Sequence, residues 1–411
     1  MKYTKLERNW VMYDVGNSAL VLLNTSVVPI YFNAINTGAS SADLVVAWGN
    51  AQTIASLVIA MLMPILGALA DYAGNKIKFF LGFFLTGLVL CLAQAIPMSA
   101  MAFLTVYVLC TIGLNSSMTF YDAMLPDITT DERMDAVSSS GYAWGYIGSC
   151  VPFVVCLALV LGSGAIGMSQ MTALTIALFI TAVWWLVTTL PLLRRYRQVN
   201  YVEVEQHAIR QSFVRIGHTL KHLYEDKQVF WFLLAFFCYI DGVYTIIDMA
   251  TAYGTALGLD TTGLLLALLV TQIVAFPSAL IFGRLSAKYP SSQLIPVCIA
   301  AYTGIAVFAF FLTQQWQFWV LAVLVGMFQG GVQALSRSHF AKIIPAEKSG
   351  EYFGLFDICG KGASFLGTMI VSVGSQLTGS VNVGLGSIAV LFVIGFVLFR
   401  VSCRTEHAKQ V

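Results

Sequence analysis

Long apolar runs, each interrupted by a few polar positions, follow one another along almost the whole chain. A bilayer core asks for about 20 apolar residues per helix. Twelve stretches of that order are present, near 10–34, 44–70, 79–97, 101–123, 136–162, 171–193, 229–252, 261–283, 293–312, 317–336, 350–375 and 382–401. The pattern predicts an all-α polytopic membrane protein with 12 transmembrane helices and, the count being even, both ends on one side. The longest hydrophilic stretch, 194–228, divides the spans six and six. The expected organisation is an N-terminal six-helix bundle over 1–193, a linker over 194–228 and a C-terminal six-helix bundle over 229–411. Within the linker Ile209, Phe213, Ile216, Leu220 and Leu223 follow a helical stripe with basic residues opposite, the pattern of an amphipathic helix on a membrane surface.

Positive charge follows the same spacing. Of the 22 Lys and Arg, all but Lys361 fall in the tails and alternate loops, and basic loops are the ones held in the cytoplasm. Both termini are therefore expected inside. Lys2, Lys5 and Arg8 precede the first span with no small-residue cleavage site soon after, so that span is expected to be retained. With 58% hydrophobic and 10% charged residues, and a mean hydropathy of +0.80, the chain has too few charges to cover a soluble globule of 411 residues. The net charge of +2 comes from the inside loops rather than from a basic patch interleaved with aromatics, which leaves no footprint for nucleic acid. Eight cysteines are present without a CxxC pair, seven in or beside apolar spans and Cys403 in the tail, as reduced packing thiols would be.

Polar residues inside the spans are the candidate chemistry, because a charge in hydrocarbon is costly and normally faces a cavity or a partner. In the first span Asp14, Asn17 and Asn24 share about one helical quadrant. The fourth has Asn115, Thr119 and Asp122 on one face, and the seventh has Asp241, Thr245 and Asp248 at i, i+4, i+7. Gln329, Gln333 and Ser336 run down the tenth toward Arg337, and Asp357, Lys361, Ser364 and Thr368 line the eleventh. Asp357 and Lys361 are four residues apart, so carboxylate and ammonium can meet on one face. They form either a self-neutralising structural pair or a site where Lys361 receives a substrate carboxylate. Asp241 and Asp248 have no basic residue in their own span, which suits proton or cation coupling. The amides could instead bond between helices.

Other motifs fail in context. Gly162–Gly167 matches GxGxxG but lies in a turn between two membrane helices with no strand before it. Gly360-Lys361 resembles the end of a P-loop, yet Gly362 replaces the Ser or Thr that would hold Mg2+. His218 and His222 have i, i+4 spacing but no carboxylate on the same face, so no metal is expected. No nucleophile, base and oxyanion donor can be assembled, so neither an enzyme nor a cofactor is expected.

The two halves echo each other. Gly67-Ala68-Leu69-Ala70-Asp71 closes the second span and Gly283-Arg284-Leu285-Ser286-Ala287-Lys288 the eighth, while Asp14 has a counterpart in Asp241. Duplicated six-helix halves are the architecture of a rocker-switch transporter with its substrate site between the halves. Gly67 through Lys78, with Asp71, Gly74 and Lys76, resembles the loop signature of the major facilitator superfamily between the second and third helices. In such a loop the glycines allow close helix approach, and Asp71 can engage cationic groups or a helix N-terminus to latch the inside gate. Trp10–Ala19, Phe120–Pro126 with Ser140–Gly148, and Gly330–Ser338 with Glu351–Gly354 and Gly360-Lys361 resemble the vacuole effluxer branch, typified by the fungal autophagy-related vacuolar amino-acid exporter. Asp122 departs from the Asn expected there.

That resemblance implies twelve helices in two pseudo-symmetric bundles and export of small solutes, amino acids being the family theme. The expectation is a secondary active transporter of a small polar or zwitterionic solute, working by alternating access with a coupling proton or cation. Its substrate and coupling residues would be Asp14, Asn17, Asn24, Asp241, Asp248, Gln329, Gln333, Asp357 and Lys361. Its gate would hold Gly67, Asp71, Gly74, Lys76, Asp122 and Arg337. A lipid or amphiphile flippase and a non-transporting receptor are the alternatives. The partners expected are the solute, the coupling ion and the lipid bilayer, with no nucleic acid and no obligatory protein partner, so that the protein works as a monomer. Short loops favour a prokaryotic cytoplasmic membrane over a fungal vacuole.

Overall fold

A computed structural model of the chain describes residues 2–36, 41–203, 217, 219, 221, 223–256 and 261–410. These residues are helical almost throughout, and their β pairing is a single bridge between Tyr72 and Val202. In chain order the elements are α1 (Lys5–Ile35), α2 (Ser41–Ala70), α3 (Lys76–Ala93), α4 (Ala100–Ala123), the short α5 (Leu125–Ile128), α6 (Asp131–Gly162) and α7 (Gln170–Arg195). There follow α8 (Lys227–Ala256), α9 (Thr261–Leu285), α10 (Ser291–Phe310), α11 (Gln315–Ile343), a 3-10 turn (Ala346–Lys348), α12 (Ser349–Thr378), α13 (Val381–Gly386) and α14 (Ala389–Gln410). Among the described residues eleven helices are long and apolar enough to cross a membrane. α12 carries Glu351, Asp357 and Lys361. Most of the amphipathic linker stripe, with His218 and His222, lies outside the described residues.

Two compact units make up the chain. The first comprises Met1–Ile128, Trp144–Gln206 and Glu347–Gly354, and the second Thr129–Ala143, His207–Ala346 and Leu355–Val411. Within the first, α3 and α2 pack on α4, and α1 and α3 pack on α7. The α3–α4 contact is a glycine contact: a Cβ on Gly113 would stand 2.6 Å from the Gly87 nitrogen and 2.8 Å from its Cα, so neither position admits a side chain. Trp10, Tyr13, Phe80, Phe84, Tyr121 and Trp185 fill the interior, with Phe84 edge-on to Trp185 at 4.8 Å. Within the second unit, α9 and α10 pack on α11, and α8 and α10 on α14. Leu85, Val89, Val151, Leu161 and Val187 are exposed, as side chains meant for lipid rather than water must be.

Two elements differ from the sequence expectation. The tenth span does not stop at 336 but runs as helix to Ile343, because Ser336, Ser338, His339 and Lys342 all find polar partners within the second unit. The twelfth span is broken: α13 ends at Gly386 and α14 starts at Ala389. The glycines there are packing residues, a Cβ on Gly386 coming within 2.7 Å of the Phe310 ring.

Candidate functional site

On α1, Trp10, Tyr13, Asp14 and Asn17 fall at i, i+3, i+4 and i+7 and so lie on one face. That face meets α4. Trp10 stacks on Tyr121 at 4.4 Å and its indole N–H donates to the Tyr121 carbonyl at 3.1 Å. The Tyr121 hydroxyl donates in turn to Asp14 Oδ2 at 2.8 Å, and Asn17 Nδ2 to Asp14 Oδ1 at 3.3 Å. Asp14 is thus buried but bonded, held by a phenol and an amide. Tyr13 and Ser117 share a hydrogen bond of 2.6 Å. Gly145 of α6 lets this face be approached, since a Cβ there would lie 3.1 Å from the Asp14 carbonyl. Two turns on, Asn24 is buried with its Oδ1 lacking a hydrogen-bond partner among the described residues.

At the end of α2 the first unit holds a second constellation. Gly74 has φ +70°, the left-handed turn a glycine permits, between α2 and α3. Asp71 is fully buried and accepts from the backbone N–H groups of Gly350 (2.7 Å) and Glu351 (2.9 Å), capping the N-terminus of α12 where the helix dipole favours an anion. Gly67 makes room for this, a Cβ there falling 2.6 Å from the Gly350 carbonyl carbon. Lys76, also fully buried, pairs with Asp127 at 3.2 Å and donates to Ser349 Oγ at 2.8 Å and to the Ala123 carbonyl at 3.2 Å. Asp127 is satisfied further by the Tyr196 hydroxyl (2.6 Å) and by the backbone and side-chain N–H of Asn200 (both 2.8 Å). Burial and the Asp127 charge push the Tyr196 phenol well above its ordinary range, which keeps it a donor. The start of the linker is thereby strapped to the loop after α2, with Val202 N–H on the Asp71 carbonyl.

In the second unit Asp241 is fully buried in α8, and neither carboxylate oxygen makes a regular hydrogen bond among the described residues. Its polar surroundings are Thr245, one turn on, and the backbone of Gly367 in α12. Arg337 is buried and spent: Nε donates to Ser138 Oγ at 2.9 Å, Nη2 to the Ser138 carbonyl at 3.0 Å, and the guanidinium lies 4.3 Å over the Tyr142 ring. Next to it Asp135 takes Lys342 and the Ser338 hydroxyl, both at 2.6 Å. Tyr239 and Ser336 share a 2.6 Å hydrogen bond. Gln329, with its Oε1 unpartnered among the described residues, lines a cavity of about 40 Å3 with Thr271 and Gln272.

Of the sequence candidates, the structure brings Asp14 to Asn17, and Gly67, Asp71 and Lys76 to a single latch, while Arg337 is placed in a network of its own. Gln333 is buried, and Asp122 and Asp357 are half-buried on their helices. The side chains of Asp248 and Lys361 lie outside the described ones. Sequence reasoning missed Tyr121, Asp127, Asp135, Ser138, Tyr196, Asn200 and Ser349. A signal existed for two of them: with Asp131 and Glu132, Asp127 and Asp135 form an acidic stretch around the start of α6 between otherwise basic segments, and the two that are buried need partners inside the protein.

Long apolar helices carrying buried, specifically partnered charges define a multi-pass membrane protein, and the solved structures of similar fold agree. The major facilitator superfamily transporter FucP matches with a TM-score of 0.70 at 14% identity, over 97% of this chain and 98% of its own. The proton:xylose symporter XylE matches at 0.72 and 10%, over 96% and 95%. The family model described as vacuole effluxer Atg22 like matches residues 4–410, and the chain belongs to that family of MFS-type transporters. The MFS-type transporter YxiO of Bacillus subtilis (strain 168) is 41% identical over 97% of this chain and 94% of its own length. Autophagy-related protein 22 of Saccharomyces cerevisiae is 25% identical over 92% and 76%. Its counterpart from Coccidioides immitis is 26% identical over 63% of this chain and 47% of its own length.

Proposed function

We propose that this transporter carries a small polar or zwitterionic, amino-acid-like solute by alternating access, coupled to a proton or another cation. The observation that carries the reading is Asp241: a fully buried carboxylate in an apolar helix that makes no regular hydrogen bond among the described residues, its near polar groups being only Thr245 and the Gly367 backbone. An isolated buried charge costs several kcal/mol, about 3–5 where a partner is simply taken away. Such a group is retained when something arrives to neutralise it, and a proton or a small cation fits. Asp14 differs in being already held by Tyr121 and Asn17, which suits a group that orients a guest's ammonium rather than one that titrates. Lys361, one turn beyond Asp357 on α12, is assigned to the guest's carboxylate. Asp248, Asn24, Gln329 and Gln333 supply further polar lining.

The halves 1–193 and 229–411 are taken as the two rocking bundles joined by the linker. Asp71 on the N-terminus of α12 is taken as the latch that must open on one side of the cycle. Both termini and the basic loops are placed in the cytoplasm, in the inner membrane of a prokaryote, and the single chain as the working unit. The relatives named for autophagy support an amino-acid-like guest by kinship alone. The test is counterflow: proteoliposomes preloaded with single unlabelled amino acids, organic acids or sugars, then given trace label of the same compound. Accumulation confined to amino acids is expected, and accumulation of sugars or organic acids alone would overturn the substrate class.

A further inference from the structure

Along α3, Asn75, Lys78, Phe79, Gly82, Phe83 and Thr86 recur at intervals of three and four residues and so form one stripe. The stripe lines an open groove of about 520 Å3 on the first unit. Phe79 and Phe83 are its walls, each ring fixed against Phe120 of α4 at 5.6 and 5.8 Å. Gly82 is its floor, where an added Cβ would meet nothing within 4 Å. The Thr86 hydroxyl already donates to the Gly82 carbonyl at 2.9 Å, so the floor has no unspent donor and suits a hydrocarbon chain. From Asn75 to Thr86 the groove runs about 16 Å at 1.5 Å per residue, about half of a 30 Å bilayer core and thus the depth of one leaflet.

The head of the groove has the opposite character. Lys78 is exposed, and its ammonium gives one hydrogen bond to Asn75 Oδ1 at 3.2 Å, which leaves two N–H donors of its three. The first turn of α3 has no acidic residue to offset the positive end of the helix dipole. The other cation of that turn, Lys76, is fully engaged inside the protein by Asp127, Ser349 and Ala123. Lys78 is therefore an exposed cation at the end of an apolar, membrane-length helix, with the open groove of Phe79, Gly82 and Phe83 running from it along α3.

We propose that this groove holds one anionic phospholipid, with its phosphate on Lys78 and an acyl chain lying over Gly82 between Phe79 and Phe83. The lipid sits two residues from Lys76 and braces the turn of α3 that carries the latch.

Native mass spectrometry of the full chain, released from detergent with dioleoyl phosphatidylglycerol or dioleoyl phosphatidylcholine, tests this independently of any transported solute. The wild type is expected to retain one phosphatidylglycerol with about fivefold preference over phosphatidylcholine, the increment of one basic residue near an anionic headgroup. Lys78→Gln should erase the preference. Gly82→Leu, which enters open space and leaves the fold intact by thermal unfolding, should weaken both lipids. Equal retention of the two lipids by the wild type, an undiminished phosphatidylglycerol preference in Lys78→Gln, or undiminished lipid retention in Gly82→Leu would show ordinary annular lipid and overturn the proposal.

Discussion

Two buried acids, one in each unit, illustrate how burial alone does not assign a role. Asp14 and Asp241 are both buried, but Asp14 accepts two side-chain hydrogen bonds whereas Asp241 has no regular one among the described residues. Asp241→Asn should therefore leave the fold and solute exchange intact while abolishing accumulation driven by a pH or cation gradient, read as the ratio of driven uptake to counterflow in proteoliposomes. Lys76 calls for the opposite outcome. Removing its ammonium leaves Asp127 buried with its hydrogen bonds but without its countercharge, so Lys76→Met should cost about 3 kcal/mol, seen as a lower unfolding midpoint in detergent, with Lys76→Met/Asp127→Asn recovering part of it. Tyr196 adds a pH dependence whose sign is fixed. Its folded-state phenol is held above its unfolded value of about 10, so its stabilisation is complete below pH 10 and declines above. Tyr196→Phe should cost about 1 kcal/mol at neutral pH, and the gap to wild type should narrow as pH rises past about 10. The positions of Asp14, Asp241 and Lys76 were legible in the sequence because a charge in or beside an apolar run announces itself. Their partners were not: Tyr121 and Ser349 are ordinary residues until the fold brings them 107 and 273 positions across the chain.

At the scale of elements, glycines decide which helices touch. Gly67 was readable as a close-approach residue, and the structure gives it a partner, the first turn of α12. Gly67→Val should push α2 off that turn and remove the Asp71 cap with it, costing about 1–3 kcal/mol as overpacking. Asp71→Ala, which keeps the spacing and loses only the two bonds, should cost about 2 kcal/mol. If the two substitutions were equally mild in unfolding assays, the cap and the close approach would not be linked. Asp14, Asn17 and Asn24 were legible as one helical face of α1 through their spacing, whereas Trp10 and Tyr13 on that helix and Tyr121 on α4 join the constellation only in the fold. The break between α13 and α14 was not, because an apolar run containing Gly384 and Gly386 reads as one span until Phe310 is seen to need the space. The extension of α11 to Ile343 was equally hidden, since Arg337 and Lys342 look like loop charges until Ser138 and Asp135 are placed beside them.

For the molecule as a whole, apolar length and basic-loop alternation carried most of the reading, because the bilayer allows few ways to satisfy a backbone. What they could not supply is the guest, which depends on side chains converging from distant helices. The account requires the basic loops to share one side, so a single cysteine introduced in a cysteine-free background at Glu225 should be modified only from the cytoplasm, and one at Ala165 only from outside. The measurement that bears most directly on the central claim is the current on a solid-supported membrane carrying reconstituted protein, pulsed with amino acids with and without a pH or cation gradient. The account calls for a saturable current to an amino acid, driven by the gradient in the wild type and lost in Asp241→Asn, although that variant still exchanges solute. Undiminished gradient-driven current in Asp241→Asn would contradict it.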